Sequence, residues 1–226
     1  MNKNLYIKVA VQLLLFPIFM GALLFLPAGT LDYWEAWVFV AVFFACTITL
    51  TVWLMLNDPK LLERRMKAGP AAEKETSQKI IVTIALLFFA GLSILSGFDH
   101  RFGWSDVPTS VVIMGNVLIA LSYIAFYFVL RENTYAASTI QVEENQRVIS
   151  TGLYALVRHP MYTGALFAMI GIPLALGSWW GLLMFIPSAA GIIWRLLDEE
   201  KFLSRNLAGY TEYKNKVRYR LIPLVW

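Results

Sequence analysis

Charge is what this sequence has least of. Only 15% of its 226 residues are Asp, Glu, Lys or Arg, against 58% hydrophobic, where a soluble domain carries about a quarter charged. That balance excludes an ordinary soluble fold and makes lipid the expected solvent. Cysteine is reduced to Cys46, inside an apolar run, which excludes a disulfide framework and a thiolate metal site. Two histidines cannot build a metal centre without carboxylate help, so no metal is expected. No strand, Gly-rich loop and helix follow one another, so a soluble-type nucleotide cradle is excluded. There is no internal repeat and no low-complexity tract. No cleavable leader is expected, because Leu5–Leu26 is too long for a signal core and lacks a small-residue cleavage site.

What the chain has instead is six apolar segments: Leu5–Leu26, Glu35–Leu56, Lys79–Gly97, Pro108–Leu130, Pro160–Leu176 and Trp180–Leu197. A bilayer core needs about 20 apolar residues per helix, so the first four are long enough to span. The last two are shorter, with only Gly177, Ser178 and Trp179 between them. They read as a tight helical hairpin that penetrates rather than fully spans. The fold class expected is all-α and integral to the membrane: about six helices, then a helical tail from Asp198, continuous to about Val217. Residues 1–130 form a four-helix scaffold, and 131–226 form the half that carries chemistry.

The net charge of +4 matters through its placement. With the N-terminus in the cytoplasm, Lys3, Lys8, the Lys60–Lys79 loop, Arg131, Arg147, Arg158 and the tail all lie inside. Only Arg101 falls outside, which satisfies the positive-inside rule and puts both termini in the cytoplasm. The cations therefore read as membrane anchors, and no nucleic-acid partner is expected. A short amphipathic helix around Asp58–Lys67 fits a basic segment held at lipid headgroups. Trp34, Trp37, Trp104, Trp179 and Trp180 sit near segment ends, as an aromatic belt would. The polar run Arg131–Val157 is too long for a bare connection and implies function.

Three clusters can carry chemistry. Arg158 and His159 precede Pro160, which suits the first turn of a helix, and free N–H groups and a positive dipole end gather there. Asp198-Glu199-Glu200 closes the last apolar segment. The dipole at a helix C-terminus disfavours acids, so a compensating cation is expected: Arg195, four residues earlier, or a cationic ligand. Phe202, Leu203, Leu207, Tyr210 and Tyr213 make one stripe along the tail, which ends on Arg220 and Pro223. Arg220 there suits a carboxylate or phosphate.

Taken together, Gly152-x-Tyr154-x-x-x-Arg158-His159-Pro160-x-Tyr162-x-Gly164, the Glu199-Glu200 pair, Gly209-Tyr210-x-x-Tyr213 and Arg220-x-x-Pro223 resemble the isoprenylcysteine carboxyl methyltransferase family. The same pattern is similar to phospholipid N-methyltransferases. The resemblance covers roughly Asn133 to Pro223, and the first four segments match only as generic membrane helices. It implies S-adenosyl-L-methionine as methyl donor, bound between the last two membrane helices and the tail. Gly152, Tyr154, His159, Tyr162 and Tyr213 are then cofactor contacts, and Glu199 or Glu200 meets the donor's ammonium or ribose. Arg158, Glu200 and Arg220 form the catalytic set, with Arg158 or Arg220 orienting an acceptor carboxylate.

A donor with a sulfonium, an ammonium and a carboxylate needs both signs of charge in one site, and aromatic faces suit the sulfonium. The acceptor expected is lipophilic or lipidated, entering from the membrane, with carboxyl methylation favoured. Two other readings stand. Membrane sterol and steroid reductases, which use NADPH, have a similar Arg-His-Pro stretch, although adjacent carboxylates would repel a dinucleotide's phosphates. A non-catalytic lipid-binding protein would keep the fold and bind no adenosyl ligand.

Overall fold

The computed structural model describes residues 3–226, with side chains from Asn4 onward. Lys3, one of the expected cytoplasmic anchors, therefore has its side chain outside the described residues, as do Met1 and Asn2 entirely. Among the described residues every regular element is helical. The helices are α1 (Lys3–Ala28), α2 (Trp34–Asn57), α3 (Pro59–Met66), α4 (Thr76–Phe102), α5 (Thr109–Glu132), α6 (Pro160–Ala175), α7 (Phe185–Asn206) and α8 (Tyr210–Lys216). Short 3₁₀ turns cover Pro70–Ala72, Gly152–Ala155 and Trp180–Met184.

Five helices are long and apolar enough to cross a membrane; α6 is the short one, at 16 residues. At 1.5 Å per residue it is about 24 Å long. Its turn nevertheless reaches the end of the bundle where the α1–α2 and α4–α5 connections lie. Ser178 Oγ donates to Asp99, the Trp179 N–H donates to Ser105 Oγ at 3.0 Å, and Tyr33 Oη donates to the Leu176 carbonyl at 2.6 Å. The hairpin expected to stop short is thus tied to both neighbouring loops. Trp104, Trp179 and Trp180 are exposed beside that turn, in keeping with an aromatic belt.

Apolar helices in lipid gain no hydrophobic drive from meeting each other, so close backbone approach has to hold them. Gly115 of α5 and Gly171 of α6 supply it. A Cβ on Gly115 would lie 2.7 Å from the Gly171 carbonyl oxygen, and one on Gly171 would lie 2.8 Å from the Gly115 carbonyl oxygen. This contact fixes α6, and with it His159 and Tyr162.

The amphipathic helix expected around Asp58–Lys67 is α3. Asp58 caps it by accepting from the Leu61 N–H at 2.9 Å, and Pro59 occupies the first turn. Leu61 and Leu62 pack on Leu5, Val9, Leu54 and Leu130. Its cations do not simply face headgroups, however. Arg64 Nη2 donates to the Thr134 carbonyl at 2.6 Å, and Arg65 Nη1 donates to the Ala136 carbonyl at 2.9 Å. Both arginines pin the Arg131–Val157 connection over the helix ends, which explains how so long a polar segment keeps one path.

The tail differs from the expected single helix. α7 runs through Asp198-Glu199-Glu200 to Asn206, then the chain turns at Gly209 (φ +81°) into α8. Leu207, Tyr210, Tyr213 and Val217 pack with Val142, Val148 and Leu203, while Phe202 stands outside that cluster. The acids therefore sit inside a helix rather than at its end, and the dipole argument for a compensating cation does not apply to them.

Candidate active site

Three consecutive acids on a helix point about 100° apart, and each meets a different neighbour. Asp198 accepts from Ser77 Oγ at 2.8 Å and from Gln78, which docks α7 on the start of α4. Glu199 accepts from Tyr162 Oη at 2.7 Å. Glu200 is a hub: its carboxylate lies 2.7 Å from Arg158 Nε, 3.3 Å from His159 Nε2 and 3.1 Å from Arg220 Nε. Arg158, His159 and Glu200 are all buried. A buried carboxylate is sustainable because the opposite charges and their hydrogen bonds offset its desolvation.

The segment before α6 is built by the tail. The Arg158 and His159 N–H groups donate to the Tyr219 and Arg220 carbonyls at 2.9 and 3.0 Å, and Thr163 Oγ1 donates to the Leu221 carbonyl at 2.7 Å. The two N–H groups that lead into this helix are thus already satisfied by protein. Arg158 Nη1 also donates to the Val217 carbonyl at 3.1 Å, and the Arg220 guanidinium lies 4.8 Å from the Trp226 ring centroid.

Arg195, the cation expected to pair with Glu199, reaches elsewhere. Its Nη2 lies 2.8 Å from Glu73 Oε1, its Nη1 donates to Gln78 Oε1 at 2.9 Å, and its Nε donates to Tyr162 Oη at 3.1 Å. Tyr162 relays between Arg195 and Glu199 instead of the two pairing directly. Sequence reasoning had no signal for Glu73, whose partner is 122 residues away.

Above these groups lies a cavity of about 290 Å³, at the lower end of small-molecule sites. It is lined by Tyr154, Arg158, His159, Tyr162, Glu199 and Tyr213, all expected from the sequence, and by Arg65, Asn133, Tyr210 and stretches of the 135–149 connection. The structure brings those six expected residues together. Gly152, Glu200 and Arg220 are not in the lining. Gly152 instead takes φ +56°, and a Cβ there would meet the Glu132 side chain at 3.2 Å. Glu200 and Arg220 stand behind the wall and hold Arg158 and His159 in place.

Part of the wall is aromatic, and its tyrosines stay uncharged. His159 and Tyr162 stack with centroids 5.6 Å apart. Asn133 Nδ2 donates to Tyr154 Oη at 3.0 Å, and Tyr213 Oη donates to the Tyr154 carbonyl at 2.8 Å. Burial pushes the Tyr154 phenol up to about 12, so it stays protonated at neutral pH. Burial likewise raises Tyr210 and Tyr213. The Tyr210 hydroxyl is buried without a hydrogen-bond partner, and an orphaned polar atom at a cavity wall is a place for a ligand to bond. In the sequence Tyr210 stood in the apolar stripe and in the Gly209-Tyr210-x-x-Tyr213 motif, but not among the expected cofactor contacts.

Among the described residues no group of His, Cys, Asp or Glu could hold a metal ion. The cavity lining is a polar, aromatic slot bearing both charge signs.

Comparison with known proteins fits this geometry. Residues 110–209 match the family model described as phospholipid methyltransferase. Over 125 residues the chain is 29% identical to a protein of Saccharomyces cerevisiae (strain ATCC 204508 / S288c) named Protein-S-isoprenylcysteine O-methyltransferase, covering 51% of each chain. The chain thus spans about half the length of that curated relative. These likenesses fall on the two families that the sequence motifs resemble, phospholipid methyltransferases and isoprenylcysteine methyltransferases. The family match holds Arg158, His159, Tyr162, Glu199 and Glu200, and stops just before Tyr210.

Proposed function

We propose that this multi-pass membrane protein is a methyltransferase that uses S-adenosyl-L-methionine and acts on a lipid-like or isoprenylcysteine-like acceptor, with a carboxylate as the favoured methyl acceptor. The observation that carries the proposal is the cavity itself. Glu199, aromatic faces and an unpartnered Tyr210 hydroxyl converge on one slot, most of whose lining lies in the segment 110–209 that matches phospholipid methyltransferases.

The residues fit such a donor. Glu199 is the free-facing carboxylate for an ammonium or ribose, the Tyr210 hydroxyl offers a bond to a polar edge, and the Tyr154 and Tyr213 rings flank the slot. When bound, the donor supplies an electrophilic methyl on a sulfonium, and displacement leaves a neutral thioether. A carboxylate acceptor brings its own lone pair, so no side chain has to remove a proton. The protein's part is to align the reacting groups and exclude water.

Glu200 acts through others. It holds Arg158 and His159 rigid at the mouth of α6, with Arg220 closing the far side. A second, apolar cavity of about 330 Å³ lies beside Pro160, between α5, α6 and Leu221, and offers an apolar approach for a lipophilic acceptor. Both termini are proposed to be cytoplasmic.

The test is transfer of radiolabelled methyl groups from S-adenosylmethionine to a prenylated cysteine, with phosphatidylethanolamine as the alternative acceptor. Label in the prenylcysteine as a base-labile ester supports the proposal, and label in neither acceptor counts against it.

A further inference from the structure

Four guanidiniums line the cavity: Arg65, Arg147, Arg158 and Arg195. Arg158 is committed to Glu200 and Arg195 to Glu73. Arg147 is exposed at the rim. Arg65 is the exception, partly buried and without a carboxylate within ion-pair distance among the described residues. Its Nη1 donates to the Ala136 carbonyl at 2.9 Å and meets Met161 Sδ at 3.7 Å, while Nε and Nη2 donate to no described residue. Removing a cation from water without an opposite charge is costly, and burial lowers the Arg65 pKa from its ordinary value. Arginine nonetheless keeps its charge in proteins. An unpaired, forked donor facing a cavity is suited to a planar carboxylate, which it grips through two parallel bonds.

Its position identifies which carboxylate. Leu62 and Met66, on either side of Arg65 in α3, line a third cavity of about 190 Å³ with Val9, Leu13, Phe16 and Tyr123. Met161 lines the polar cavity, meets Arg65 Nη1 through its Sδ and packs in the same apolar cluster as Leu62 and Met66, so a deformable thioether links the two regions. Arg65 therefore stands where an apolar space meets the polar one, the station of the head of an amphiphile.

Resting on the methyltransferase reading, we infer that Arg65 binds the acceptor's carboxylate and makes the enzyme selective for acidic, lipid-tailed acceptors over amines. This replaces Arg158 and Arg220 in that role, because both are occupied by Glu200.

The test uses the full chain in detergent, as wild type, Arg65→Lys and Arg65→Gln, the second of which keeps a donor for the Ala136 carbonyl. Binding of S-adenosylhomocysteine is titrated, and methyl transfer to N-acetyl-S-farnesylcysteine is measured with its carboxamide as competitor. The expected result is a KM for the acid raised about tenfold or more in Arg65→Gln, partial recovery in Arg65→Lys, and loss of the wild-type preference for acid over carboxamide. Binding of S-adenosylhomocysteine should stay within about twofold. A proportionate loss of that binding would mean that Arg65 reads the donor's carboxylate, which overturns the inference. So would an acid-to-carboxamide preference unchanged in both variants. If the wild type binds no S-adenosylhomocysteine, the underlying reading falls and the inference with it. If it binds but acid and carboxamide are not distinguished, the inference alone falls.

Discussion

The Glu200 carboxylate lies within 3.3 Å of Arg158, His159 and Arg220, while Glu199 beside it makes no ion pair among the described residues and accepts from the Tyr162 hydroxyl. This contrast gives two different mutants. Glu200→Gln leaves two arginines without their counter-charge behind the cavity wall, and breaking such a buried cluster costs about 3 kcal/mol. Its thermal midpoint in detergent should fall, and ligand binding should fall with it. Glu199→Gln keeps an amide oxygen for Tyr162, so the midpoint should barely move while S-adenosylhomocysteine binding weakens about tenfold or more, as expected when a charged hydrogen bond is lost. If thermal scans and titrations give the two variants the same profile, the division of roles between neighbouring residues is wrong.

At the scale of the elements, two joints hold the site. The first is the α5–α6 contact. Gly115→Ala would drive a methyl against the Gly171 carbonyl, and overpacking of this kind costs about 1–3 kcal/mol. Gly91→Ala in α4 meets nothing within 4 Å and should be neutral or mildly stabilising. Size-exclusion profiles and thermal midpoints of the pair read this directly. The second joint is the docking of α8 through Tyr213 on the Tyr154 carbonyl. Burial holds the Tyr154 phenol up at about 12 and raises Tyr213 too, above an ordinary value of 10.0. Above about pH 10 the unfolded chain therefore gives up protons that the folded one keeps, and stability falls as pH rises through the folded values. Midpoints measured from about pH 9 to about pH 11.5 should decline, and Tyr154→Phe should lessen the decline.

The whole molecule carries the topology. With Cys46→Ala as background, a cysteine at the exposed Asp106 should react with an impermeant maleimide on intact cells, and one at the exposed Glu144 only after permeabilisation. The reverse pattern would invert the proposed orientation. Helices were legible because apolar runs report themselves: Leu5–Leu26 became α1 and Pro108–Leu130 became α5, with ends shifted by a few residues. The length of α7 was not legible, since its last turns carry Asp198, Glu199, Glu200 and Lys201 and so read as a tail. Six of the nine expected site residues meet at the cavity, three of them (Arg158, His159 and Tyr162) from one motif that is compact in sequence. Arg65 and Glu73 were hidden for the opposite reason: their partners at Ala136 and Arg195 lie 71 and 122 residues on, and no local pattern marks such pairs.

The claim on which all of this depends is that the cavity beside Tyr162 and Glu199 binds the methyl donor. Calorimetric titration of S-adenosylhomocysteine into the detergent-purified chain, with NADPH in parallel, tests it most directly. The account predicts roughly micromolar affinity for the first, lost in His159→Ala and weakened in Glu199→Gln, and no heat from the second. Binding of NADPH alone, or S-adenosylhomocysteine binding indifferent to both substitutions, would contradict it.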